Sequence, residues 1–100
     1  MTRRALAVAA TLLASACGRP WVPVATEADA ARTNTALGDL QRGRELLIGN
    51  CSGCHLTPSP RDHRAADWPN EVAEMRERSK LTADEVALIT QYLTAFADQR

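Results

Sequence analysis

The chain has 100 residues, with 12 basic residues against 12 acidic ones and three cysteines. That length carries one domain at most, and only four aromatic residues leave it a small core. A formal net charge of zero argues against nucleic-acid binding and against an electrostatic membrane patch.

Residues 1–16 read as a signal peptide. Arg3 and Arg4 precede an uncharged run rich in Ala, Leu and Val from Ala5 to Leu13, and small residues follow. The run is too short to cross a bilayer as a helix. Ala14 and Ala16 suit ordinary cleavage after Ala16. Leu13-Ala14-Ser15-Ala16-Cys17-Gly18 also resembles a bacterial lipobox, with Ala14 where that motif usually carries Leu. Cys17 would then be the lipidated first residue, which accounts for an odd cysteine in an oxidising compartment. Lipidation at Cys17 is the expected outcome, and ordinary cleavage is the alternative. Two or more acyl chains would hold the protein stably at a membrane surface.

Residues 17–36 read as a tether. Pro20 and Pro23 oppose regular helix, and the Ala/Thr/Glu/Asp mixture after them shows no sustained apolar face. Trp21 is the exception, a side chain suited to packing on the domain or lying near a membrane interface.

The first helix is expected from about Leu37 or Asp39 to Gly49, with Asp39 as its N-cap. Leu40, Gly43 and Leu47 recur on one face, and Leu46 lies beside them. Gly43 costs a helix interior about 1 kcal/mol relative to Ala. A backbone pressed closely against another helix would explain it.

Cys51-Ser52-Gly53-Cys54-His55 follows. Two thiols three positions apart can each join one vinyl group of a single porphyrin, and the adjoining His can bind its iron. Zinc would need further ligands, and Cys17 and His63 supply no second pair. A dithiol redox site would need a βαβ frame that this chain lacks. One covalently bound haem c per chain is expected, held by Cys51 and Cys54, with His55 on the iron.

Leu56 to Arg64 is polar and carries Pro58 and Pro60, so it reads as a loop. A carbonyl of Pro58 or Pro60 could accept from the His55 imidazole and fix its orientation. A second helix starts after Asp67 as N-cap, with Pro69 in its first turn and Trp68, Val72 and Met75 on one face. The last helix opens on the capping box Thr82-Ala83-Asp84-Glu85, with Leu81 and Val86 as a hydrophobic staple. Its apolar stripe is Val86, Ile89, Tyr92, Leu93 and Phe96. Nothing alternates as a strand, so the fold is expected to be all-α. Three helices of this size bury little on their own, and a haem would give them a large apolar plate to pack on.

From Gly43 to Phe96 the chain resembles a small single-haem class I cytochrome c. The resemblance rests on Gly43-x-x-Leu46-Leu47, Cys51-x-x-Cys54-His55, Trp68 with Met75, Leu81-Thr82-x-x-Glu85 and Tyr92-Leu93. It implies a cytochrome domain over residues 37–100, about three helices around the haem. It also implies a close crossing of first and last helices, with Gly43 against Tyr92. Leu47 departs from the aromatic residue common in that family.

The resemblance makes Met75, the sole methionine besides the initiator, the sixth iron ligand. His63 is the rival, though it lies only eight residues after His55 in a short loop. Arg61, Arg64, Arg76 and Arg78 are candidates to pair with the haem propionates. The function implied is electron transfer on the periplasmic side of a bacterial membrane, between redox donor and acceptor proteins and with no small-molecule substrate. Alternatives are a haem-based gas or redox sensor, or a haem subunit of an oxidoreductase complex, with an open iron position.

Overall fold

The computed structural model describes residues 20–51 and 57–99. They form four α-helices: α1 (Glu27–Thr33), α2 (Leu37–Cys51), α3 (Trp68–Ser79) and α4 (Ala83–Ala97). Two single 3-10 turns, Pro60–Asp62 and Ala65–Asp67, lie between α2 and α3. Among the described residues there is no strand, so the fold is all-α as expected. No helix among them is long and apolar enough to cross a membrane.

Helix α2 buries Leu40, Gly43, Leu46 and Leu47, the face read from the sequence. It starts one turn before Asp39, on the carbonyl of Ala36, which accepts from the N–H groups of Asp39 and Leu40 at 3.1 and 3.2 Å. Asp39 is therefore not the N-cap. It sits exposed in the first turn, where its charge complements the positive end of the helix.

Helix α4 opens on the expected capping box. The Thr82 hydroxyl accepts from the Glu85 N–H at 3.2 Å, and the Glu85 carboxylate accepts from the Thr82 N–H at 3.0 Å. Ile89, Tyr92, Leu93 and Phe96 are buried along one stripe. Val86 at the head of that stripe is half-buried. Gly43 marks the crossing of α2 and α4. A Cβ there would collide with the Leu88 carbonyl oxygen and lie 2.8 Å from the Cβ of Tyr92. The glycine is what lets the two backbones touch.

Helix α3 begins where expected, but Asp67 does not cap it. The Asp67 backbone is already helical, at φ −90° and ψ −21°, and makes no side-chain cap bond. Arg64 competes for the carboxylate and donates its Nε–H to it at 3.0 Å. Pro69 is tolerated in the first turn, where its missing N–H would have had no helical partner. At the other end Lys80 turns left-handed (φ 52°), and the N–H of Leu81 bonds back to the Arg76 carbonyl at 3.1 Å. Leu81 is buried, closing α3 and introducing α4 at once.

The stretch expected as an unstructured tether is different from Pro20 onward. Thr26 and Asp29 form a capping box that starts α1, and Asn34 ends it in the left-handed region. Arg32 ties α1 to α4 by donating to the Ala95 carbonyl at 2.9 Å, its guanidinium 5.6 Å from the Phe96 ring centre. Ahead of α1, Ala25 is buried, and Trp21 and Val22 pack against the core. Residues 20–36 are thus a docked arm. Cys17 and the expected signal peptide lie outside the described residues.

Candidate haem-attachment site

Cys51 is the last residue of α2. It follows Leu47 by one helical turn, so it continues the buried stripe and is half-buried against the core. Its thiol is free, and burial pushes its pKa up, which keeps the sulfur protonated at neutral pH. Beside it, the Asn50 side chain donates to the Leu46 carbonyl at 2.8 Å and satisfies one acceptor of the last turn. Cys54 and His55 lie outside the described residues.

From Thr57 onward the chain is pinned within a few residues. The Ser59 N–H donates to Asp62 at 2.9 Å, and the Ser59 hydroxyl donates to the Trp21 carbonyl at 2.8 Å. The Pro60 carbonyl accepts the indole N–H of Trp68 at 3.0 Å. That bond satisfies the only polar group of a tryptophan that is 1% exposed. Of the two prolines expected to offer a carbonyl to His55, Pro60 therefore already serves Trp68. Pro58 is half-buried.

Met75 lies where the helical periodicity places it, on the stripe of α3 with buried Trp68 and Val72. It is half-buried and packs against the same core as Cys51. His63 is elsewhere. Its ring stands edge-on to Trp68 at 4.8 Å, and its Nε2 is 3.7 Å from the Glu71 carboxylate.

Two of the four arginines considered for propionates have other partners. Arg61 stacks 3.7 Å from the Trp21 ring centre and donates to the Gln99 carbonyl at 2.9 Å. Arg64 holds Asp67. Arg76 and Arg78 are exposed in the last turn of α3.

Sequence reasoning missed Ser59 and the arm that it binds. Both carried a signal. Thr26-x-x-Asp29 and Ser59-x-x-Asp62 have the spacing of capping boxes, and each folds as one.

The donor chemistry suits a covalently held haem. The Cys51 thiol, one of the two that would join the vinyl groups, and the soft Met75 thioether both border one apolar core.

Over 53 residues the chain is 36% identical to the cytochrome c-type protein TorY of Haemophilus influenzae. The match takes in 53% of this chain but 14% of TorY, so the chain spans a small part of that protein's length. No protein-family model matches the chain, and no solved structure does. The likeness supports a relationship to c-type cytochromes.

Proposed function

We propose that this chain is a monohaem c-type cytochrome that carries electrons in the bacterial cell envelope. The observation that carries the reading is the Cys51-Ser52-Gly53-Cys54-His55 motif, begun at the core-facing end of a helix that crosses α4 through Gly43. The likeness to TorY supports it.

Cys51 and Cys54 would hold the haem through two thioether bonds, and one such motif means one haem per chain. His55 would bind the iron on one side and Met75 on the other. A bound haem c supplies a one-electron ferrous–ferric couple. The Met75 thioether favours the ferrous state and so raises the reduction potential. Trp68 and Val72, buried on the helical face that Met75 shares, would help keep water from that thioether. With His55 and Met75 both holding the iron, no substrate would reach it, and the chain would act with redox donor and acceptor proteins rather than as an enzyme. Lipidated Cys17 would keep it at the periplasmic side of a membrane.

The test is a pyridine haemochrome assay on purified wild type and on a variant with Cys51 and Cys54 both changed to Ala. Wild type should keep its haem through acid-acetone extraction, and the variant should hold none. Haem that washes out of wild type would refute the assignment.

One observation favours a second reading. Met75 occupies a core stripe inside α3, a place that suits a packing residue as well as a ligand. The iron would then keep an open position, as in a gas sensor. A high-spin spectrum with rapid carbon monoxide binding would establish that reading.

A further inference from the structure

Trp21, Val22 and Pro23 present three consecutive carbonyls, and each is taken by a different part of the fold. Trp21 accepts from the Ser59 hydroxyl at 2.8 Å, Val22 from the Arg44 Nε–H at 3.0 Å and Pro23 from the Tyr92 hydroxyl at 2.6 Å. Pro20 precedes the strip and Pro23 ends it, and both restrict its backbone. The Trp21 ring meets Phe96 edge-on at 6.2 Å and carries the Arg61 guanidinium on its face.

Its place along the chain matters. Ser59 is 7% exposed and comes four residues after His55, so only Leu56, Thr57 and Pro58 separate a pinned point from the expected iron ligand. The next residue, Pro60, holds Trp68, which shares its helical face with Met75. The pin therefore lies along the chain between the two expected iron ligands, and through Pro60 and Trp68 it reaches the helix that carries Met75.

We infer that the Trp21–Pro23 arm is a clasp that sets iron ligation, with Ser59 and Arg61 as positioning residues. The inference rests on the haem reading above. Ser59 acts through Pro60 and Trp68 on the helix that carries Met75. Arg61 closes the clasp from outside, joining the Trp21 face to the Gln99 carbonyl at the end of the chain.

The experiment uses the full-length holoprotein with Ser59→Ala, Ser59→Thr and Trp21→Ala. Midpoint potential and carbon monoxide association are measured, with far-UV circular dichroism to follow the fold. Ser59→Ala should shift the midpoint potential and raise the carbon monoxide association rate by about tenfold, the low end of the cost of disturbing the surroundings of a metal site. Ser59→Thr, which keeps the hydroxyl, should restore the wild-type rate, and Trp21→Ala should behave like Ser59→Ala. The clasp is overturned if Ser59→Ala and Trp21→Ala lower thermal stability yet leave potential and association rate at wild-type values. A wild type without covalent pyridine haemochrome overturns the haem reading and the clasp together, which separates that failure from failure of the clasp alone.

Discussion

Gly43 lies so close beneath Tyr92 that a Cβ on the glycine would come within 2.8 Å of the tyrosine Cβ. The harder obstacle is the neighbouring Leu88 carbonyl, because a backbone oxygen inside α4 cannot move without moving the helix. Gly43→Ala gains up to about 1 kcal/mol of helix propensity. The forced separation of α2 and α4 should outweigh it, leaving the protein about 1–3 kcal/mol less stable. Urea denaturation of the holoprotein checks this, and an unchanged or higher midpoint would show that the helices part easily.

The same tyrosine links the arm to the core through its hydroxyl. Burial pushes the Tyr92 phenol above the usual tyrosine range, so the folded state holds a proton that the unfolded chain releases at about pH 10. The contribution is fully present below that pH and is lost as pH rises further. Tyr92→Phe removes the 2.6 Å bond to Pro23 and should cost about 1 kcal/mol at neutral pH. It should also flatten the alkaline fall in stability. Urea midpoints across the alkaline range test the sign: a variant as steep as wild type would locate that loss in another group.

Met75→Ala should open the iron to carbon monoxide or leave it high-spin. Met75→His should keep it six-coordinate at a lower potential, because imidazole favours ferric iron more than a thioether does. His63→Ala should leave spectrum and potential near wild type, since His63 is engaged with Trp68 and Glu71. Absorption spectra of the three variants decide the matter. The reverse pattern would transfer the ligand role to His63.

Mass spectrometry of protein from a bacterial envelope reads the state of Cys17 directly. The expected species begins at Cys17 and carries acyl chains, and Cys17→Ser should release it from the membrane. An unmodified terminus at residue 17 would show ordinary cleavage instead.

Helix α4 was the most legible part of the chain, because Thr82 and Glu85 cap each other reciprocally and five apolar residues keep a helical period. The close approach at Gly43 was legible for a related reason: a glycine inside an apolar stripe needs a cause. Asp67 misled because Arg64, three residues earlier, captures the carboxylate that would have capped α3. The docking of the arm, unlike the capping box that starts α1, was illegible for a deeper reason. Its hold on the domain comes from the backbone carbonyls of Trp21, Val22 and Pro23, which every sequence possesses and no periodicity reveals. Of the attachment motif, Cys51 sits where the helical repeat from Leu47 places it, while Cys54 and His55 were read from chemistry alone.

The arm also imposes an order of events on the growing chain. Its partners Arg44, Ser59 and Tyr92 come 22, 38 and 69 residues after the carbonyls they bind. A chain made from its N-terminus therefore produces the arm first and can dock it last, after a long wait for loop closure. Cys51 and Cys54 are both made before Tyr92, so they precede the residue that completes the dock. A chain cut short ahead of Tyr92 would retain both thiols and leave the Pro23 carbonyl without its donor.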